Sequence, residues 1–272
     1  MNFRFKYYFL LVVSVIYIDA KAQDLSAESF LIPASATTLP VKCNFLSPIF
    51  NRVFTVGGLD SFYSQLLKVK KGQLSGLRVI HIGDSHVKAG YFPNEIAKRL
   101  QSFFGPGLQY NSFGVIGASY KSYNHSTELW KYLAANKADL YIISLGTNDA
   151  QQGFLAASFL KEFNVFLSKL REANPAAKVL ITTAAGHFIN GYSHPKVLEL
   201  NRTLFNYCND NDIPIWDLYR IGNGISSAYN WKQVGLMTAD GVHFNAKGYS
   251  LHGALLFQAI ASGYNQYTSL HQ

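Results

Sequence analysis

The segment LRVIHIGDSH, residues 77–86, runs an apolar strand over Leu77 to Ile82 straight into Gly83, Asp84, Ser85 and His86. A second segment, LYIISLGTND at residues 140–149, repeats the arrangement, with a nearly unbroken apolar strand over Leu140 to Leu145 leading into Gly146, Thr147, Asn148 and Asp149. Strands that are apolar at consecutive positions, and not only at alternate ones, are buried on both faces, as in parallel sheets covered by helices. The intervening sequence supplies those helices. Pro93 to Phe104 is helical and closed by Gly105, Pro106 and Gly107, and further helices are expected over Ala156 to Ala173, Pro195 to Asn209 and Lys247 to Ala261. Val179 to Thr183 and Ile213 to Trp216 are two more short strands. The alternation predicts an α/β fold with a parallel sheet between two layers of helices.

Working outward, Phe62, Leu66 and Leu67 mark one face of a short helix that starts after Leu59 and ends near Gly72. A single main domain is therefore expected to span residues 59–272, uninterrupted by repeats or low-complexity sequence. Residues 23–58, with Pro33, Pro40 and Pro48 among serines and threonines, read as an extended N-terminal arm. Residues 1–22 read as a secretory signal peptide. Arg4 and Lys6 precede an apolar run from Tyr7 to Ile18, and Ala20-Lys21-Ala22 gives a small-residue cleavage signal before Gln23. The alternative is a retained anchor, but the run falls short of the roughly 20 apolar residues that a membrane span needs. The expectation is an exported protein, periplasmic or secreted, with no stable membrane span after cleavage.

Of the 272 residues 49% are hydrophobic and 15% charged, which excludes a disordered or highly charged chain. The formal net charge is +8. Signal removal takes away Arg4, Lys6, Lys21 and Asp19 and lowers it to +6. A mild positive charge suits an anionic wall polymer, a membrane surface or nucleic acid. The aromatic residues are scattered through apolar segments with no single-strand-binding signature, so no nucleic-acid partner is expected. Two cysteines, Cys43 and Cys208, exclude a disulfide framework and a four-cysteine zinc site. They either pair with each other, or Cys208 is a buried thiol on the stripe of Val197, Leu200 and Leu204.

In a parallel sheet the functional loops lie beyond the carboxyl ends of the strands. Ser85 sits in such a loop. A serine hydroxyl becomes a nucleophile when a base takes its proton and a third group orients that base. Asp240-Gly241-Val242-His243 supplies both, since three-residue spacing lets the carboxylate reach back to the imidazole. The oxyanion formed on attack needs fixed donors. Candidates are the Ser85 N–H, the Gly117 N–H in Val115-Ile116-Gly117-Ala118-Ser119, and the side-chain amide of Asn148.

In order along the chain, Gly83-Asp84-Ser85, Gly117, Gly146-Thr147-Asn148-Asp149 and Asp240-x-x-His243 resemble the four sequence blocks of the SGNH (GDSL-type) hydrolases. The resemblance covers roughly Arg78 to Tyr264. It implies a flavodoxin-like three-layer α/β/α sandwich and a serine esterase that uses no metal or cofactor. It makes Ser85, Asp240 and His243 the catalytic triad and Ser85, Gly117 and Asn148 the oxyanion hole. Gly114, three residues from Gly117, competes for the second block. The first block departs from the usual pattern, reading Gly-Asp-Ser-His where leucine is common. With Trp216-Asp217-Leu218-Tyr219 and the Asp-Gly-Val-His-Phe ending, this is similar to exported bacterial carbohydrate esterases, including peptidoglycan O-acetylesterases. That likeness implies an O-acetylated glycan as the substrate partner. A glycan binder without hydrolysis, or a lipase of the same fold, are the alternatives.

Asp84-Ser85-His86 also reads as the opening D-x-H of binuclear metallophosphoesterases, but the later Asn-His ligands are missing, since Asp149 follows Asn148. The G-x-S-x-G elbow of the other large serine-esterase fold is absent. Asp84 is expected to brace the serine, His86 to line the cleft, His187 to border it, and His81 to be a satisfied core residue. Specificity is expected in the loops Ser119 to Trp130 and Ile189 to Lys196, where Tyr120, Tyr123 and Tyr192, together with Trp231, either stack on sugars or pack inward.

Overall fold

The computed structural model describes residues 30–55 and 57–271, so the expected signal peptide lies outside the described residues. From the amino end come β1 (Val53–Phe54), α1 (Asp60–Lys70), β2 (Leu77–Gly83), α2 (Ser85–Lys88), α3 (Tyr91–Phe104) and β3 (Leu108–Gly114). Then follow α4 (Tyr120–Asn124), α5 (Thr127–Ala135), β4 (Leu140–Ser144), α6 (Thr147–Gln151), α7 (Ala156–Ala173) and β5 (Lys178–Thr182). The chain ends with β6 (Phe188–Ile189), β7 (Tyr192–Ser193), α8 (Pro195–Asp210), β8 (Ile215–Trp216), α9 (Leu218–Ile221), α10 (Ser227–Gln233) and α11 (Ala246–Leu270).

The central sheet has the order β1-β8-β5-β4-β2-β3. All its pairings are parallel except that of β1 with β8. In chain order the five parallel strands run 2-1-3-4-5, the flavodoxin-like arrangement, and the strand order reverses between β2 and β4. Side chains alternate across the sheet. Leu77, Val79, Leu140, Ile142 and Leu180 pack with Phe62, Ile96, Leu100 and Leu255 of α1, α3 and α11. Ile80, Ile82, Tyr141, Ile143 and Ile181 pack with Tyr120, Phe163, Phe166 and Leu200 of α4, α7 and α8. This is the expected three-layer α/β/α sandwich.

Three differences from the sequence reading have physical causes. β3 is an edge strand whose middle is largely exposed, so LQYNSFG carries no apolar run to announce it. Residues 119–130, read as a specificity loop, form α4 and α5, and Tyr120 and Tyr123 are buried in the core. The last helix continues from Ala261 to Leu270 because Tyr264 and Thr268 are covered there. What lies over it is the arm. The Ile32 N–H donates to Asn265 Oδ1 at 2.8 Å and Asn265 Nδ2 donates back to the Ile32 carbonyl at 2.9 Å. Tyr264 Oη donates to the Phe30 carbonyl, and Arg99 Nη1 to those of Ala36 and Thr38. The stretch read as an arm also supplies β1, which adds to the sheet edge.

Cys43 and Cys208 are both free. Cys43 packs against the α11 side of the sheet and Cys208 is buried in the α8 stripe on the other. Of the two readings of Cys208, the structure has the buried thiol.

Cutting the paired bonds of Asn265 by Asn265→Ala is expected to cost about 1–3 kcal/mol, at roughly 0.5–1.5 for each hydrogen bond. A urea midpoint measured on both proteins checks it, together with faster proteolysis in the arm.

Candidate active site

β2 and β4 finish together, because Gly83 is in register with Ser144. Their loops carry Ser85 and Asn148. The Asp84 carboxylate caps α2 by accepting the His86 N–H at 2.9 Å, which sets Ser85 as the first helical residue with its hydroxyl in the cleft. Ser85 Oγ lies 2.9 Å from His243 Nε2, and His243 Nδ1 lies 2.7 Å from Asp240 Oδ2. The three residues expected as a triad are therefore joined in one hydrogen-bonded line.

The Asp240 turn is built locally. It sits in a loop closed by an antiparallel bridge between Met237 and Phe244, with Thr238 N–H donating to the His243 carbonyl. Asp240 Oδ1 accepts from the N–H groups of Val242 and His243, both at 2.9 Å, and from Thr238 Oγ1 at 2.7 Å. That leaves Oδ2 for the imidazole. Gly241 has φ of +68°, which the turn requires and a side chain resists. Partial burial pushes the Asp240 carboxyl up, but the His243 ring and the backbone donors outweigh it and hold it well below the usual carboxylate range. An ionised partner of this kind fixes the ring tautomer with Nε2 toward the serine.

Gly117 stands at the third position of a turn closed by Ala118 N–H to the Val115 carbonyl at 3.1 Å, with φ of +78°. A Cβ at Gly117 would meet only open space, whereas one at Gly114 would strike the Lys88 backbone at 2.4 Å. Gly114 is thus a packing glycine against α2, and Gly117 faces solvent. Asn148 Nδ2 donates to the Ala118 carbonyl at 2.9 Å, which fixes the amide plane, and lies a long 3.4 Å from Asp84 Oδ2. One amide hydrogen is thereby only weakly engaged.

Behind the serine the site is buried and titratable. Burial pushes Asp84 up to about 7, against the pull of the His86 N–H and of His243. Burial likewise lifts Asp149, which accepts the Tyr120 N–H, to about 7. His86 bonds Tyr249 Oη through Nδ1 at 3.0 Å, and its ring centroid lies 5.2 Å from that of His243. It braces the base from the side and lines the cleft as expected. A cavity of about 30 Å³, room for about one water, lies among Asp84, His86, Ser144, Thr147, Thr182 and His252. His187 is buried at the rim, with Nε2 3.5 Å from Gln151 and its ring against His194. His81 bonds Ser144 Oγ at 2.7 Å and Tyr110 Oη at 3.0 Å, a satisfied core histidine.

Of the four aromatics singled out in the sequence, Tyr120, Tyr123 and Trp231 are core and only Tyr192 is exposed. The sequence reading missed Tyr249 and Thr238. Thr238 carried a usable signal, a hydroxyl two residues before an Asp-Gly turn, whereas Tyr249 lies in α11 with nothing local to mark it.

A parallel sheet with a Ser–His–Asp line across its switch point is the architecture of a serine hydrolase. Residues 76–251 match the model of the GDSL-like lipase/acylhydrolase family, and the chain belongs to that family. It is an esterase/acylhydrolase. It is similar to the isoamyl acetate-hydrolyzing esterase of Schizosaccharomyces pombe, 26% identical over 188 residues that cover 64% of this chain and 71% of the relative. Among solved structures, a peptidoglycan O-acetylesterase superposes with a TM-score of 0.70 at 18% identity, covering 75% of this chain and 96% of its own. An acetyl xylan esterase gives 0.53 at 21% identity, covering 68% of this chain and all of its own. At these identities the structural likeness is one of fold. No helix among the described residues is long and apolar enough to cross a membrane.

Burial holds His81, His86 and His252 down to about 3 and His187 to about 4. Unfolding returns each to the ordinary value near 6.5, so below that pH the unfolded chain binds protons that the native one refuses. Their contribution to stability is complete above about pH 6.5 and is lost as pH falls. Asp84 and Asp149 act the opposite way between about 4 and 7, but the histidines outnumber them. The protein is therefore expected to lose stability on acidification from pH 6.5 toward 4. In His252→Phe, whose site is walled by Phe92, Trp231 and Phe244, the loss should be shallower by about 1.4 kcal/mol per pH unit. Urea midpoints at pH 6.5 and 5 decide it, equal losses in the two proteins counting against a neutral His252.

Proposed function

We propose that this esterase removes O-acetyl groups from a polysaccharide, with O-acetylated peptidoglycan among its substrates, through an acyl-enzyme. The observation that carries the reading is the unbroken line Ser85–His243–Asp240, with hydrogen bonds of 2.9 and 2.7 Å at the sheet's switch point. Ser85 Oγ attacks the acetyl carbonyl while His243 Nε2 takes its proton. The Ser85 N–H, the Gly117 N–H and Asn148 Nδ2 donate to the oxyanion. His243 returns the proton to the departing sugar oxygen, which leaves acetyl on Ser85. Water, deprotonated by His243, then attacks the acyl carbon, and the imidazolium returns the proton to Ser85 Oγ as its bond to the acetyl group breaks and acetate leaves. Asp240 stays ionised throughout, and balances the imidazolium.

The acetyl group and the sugar are suggested by the likeness to the peptidoglycan O-acetylesterase and acetyl xylan esterase structures and by the positive net charge, which favours an anionic wall polymer. In this reading the catalytic domain is residues 59–272, the arm is residues 23–58, and the protein is exported to the periplasm or beyond the cell.

Acetate release from O-acetylated peptidoglycan and from acetylated plant glycans, followed for wild type and Ser85→Ala, tests the reading. Ser85→Ala should fall by roughly 10³-fold or more. Asn148→Ala should lose roughly 10²–10³-fold, chiefly in kcat. Equal rates in wild type and Ser85→Ala, or activity confined to long-chain acyl esters, would sink it.

A further inference from the structure

β6 and β7 form a two-residue hairpin, with Phe188 opposite Ser193 and Ile189 opposite Tyr192. Its turn residues, Asn190 and Gly191, have φ of +50° and +80°, the pattern of a type I′ turn, whose twist matches that of the strands it joins. The hairpin is a fixed object. Its inner face is clamped to the loop of the base: the Phe188 N–H donates to the Gly241 carbonyl at 2.8 Å, and the Phe188 ring packs under Gly241. Tyr229 meets that ring edge-on at 4.9 Å, and Lys232 Nζ sits 4.8 Å from its centroid.

Alternation puts the cross-strand pair Ile189 and Tyr192 on the opposite face. Tyr192 is 74% exposed and Ile189 39%. Phe188, the Ser193 hydroxyl on the Ile225 carbonyl and the His187–His194 contact at its base anchor the hairpin, and the exposed Tyr192 is in none of these contacts. A lone exposed aromatic is ordinary. This one is paired with an apolar neighbour, on a rigid element hydrogen-bonded two residues from His243. A sugar ring has apolar C–H faces edged by hydroxyls, and a tyrosine offers an apolar face with a phenolic hydroxyl at its tip.

We infer that Ile189 and Tyr192 form a platform for the glycan chain beside the acetylated sugar, so that the enzyme is built for polymeric esters over small ones. The inference rests on the polysaccharide reading above and adds to it where the chain lies. On this inference a small ester is held at Ser85 and His243 alone, whereas a longer chain also meets the hairpin, which touches the His243 loop at Gly241. Binding there lowers KM for a polymer and leaves the chemical step alone.

The test is steady-state kinetics of wild type, Tyr192→Ala and Tyr192→Phe on 4-nitrophenyl acetate and on O-acetylated peptidoglycan, acetylated xylan and acetylated mannan. Tyr192→Ala should raise KM on the preferred polymer by about two- to tenfold, the worth of one aromatic contact, with kcat and the small-ester rate unchanged. Tyr192→Phe should restore most of the loss. If wild type releases acetate from a polymer and Tyr192→Ala matches it, or if polymer and small-ester rates fall together, the platform is overturned and the polysaccharide reading stands. If wild type cleaves the small ester but no polymer, that reading fails and takes the platform with it. A fall in solution mass on Tyr192→Ala, measured by light scattering, would assign the face to a second copy of the chain instead.

Discussion

Parallel pairing of β2 with β4 is the constraint on which the site depends. Gly83 opposite Ser144 makes the two strands end level, and Ser85 and Asn148 follow two and four residues later. A slip of one residue would exchange the faces of Ile80, Ile82, Tyr141 and Ile143 and empty one core into the other. A buried polar line reinforces the register: His81 of β2 bonds Ser144 Oγ of β4, and Thr182 of β5 donates to the same oxygen at 2.8 Å. Hydroxyls and an imidazole buried without partners would be costly, so the line tolerates only the alignment that satisfies it. Two donors meant for one small volume are thus positioned by the sheet.

Asp84 transmits that alignment to the nucleophile. Its Oδ1 holds the His86 N–H and its Oδ2 faces Asn148, so one carboxyl touches both sides of the expected oxyanion hole. The position is costly for a charge, and burial pushes the group up to about 7. A neutral asparagine would have kept the turn at less expense in desolvation. What the carboxyl adds is a group able to ionise beside His243, which the positive charge that the ring acquires on taking the serine proton pulls toward the carboxylate form.

The strand-and-loop rhythm of this sheet was legible because its central strands are buried on both faces and therefore mostly apolar. The same physics hid β3 and β1, which sit at the margins and need no apolar run. The extent of α11 was hidden for another reason. Tyr264 and Asn265 look like surface residues until the arm, more than 200 positions away in sequence, is laid over them. In the site, Ser85, Asp240 and His243 could be found from spacing because each sits in a turn formed by its own neighbours. The loop aromatics could not be sorted, since burial of Tyr120 and Tyr123 and exposure of Tyr192 are decided by helices packed across the chain.

The two halves of the site differ in kind. Ser85 and Asn148 are held by the core, but the Asp240 turn satisfies nearly all its hydrogen bonds within Thr238 to His243, and both dyad side chains are well exposed. The turn would fold much the same anywhere; what matters is where it is docked. Among the contacts that do that are Ser85 Oγ on Nε2, the His86 ring beside the imidazole with Tyr249 behind it, and the hairpin's Phe188 on Gly241. Two of these lie outside the triad. The histidine that departs from the commoner leucine of the first block is therefore part of the joint that brings a self-sufficient turn up to a nucleophile fixed in the sheet. Leucine could fill the same space, but it could not accept or donate to Tyr249 and so would leave α11 without its polar tie to that joint.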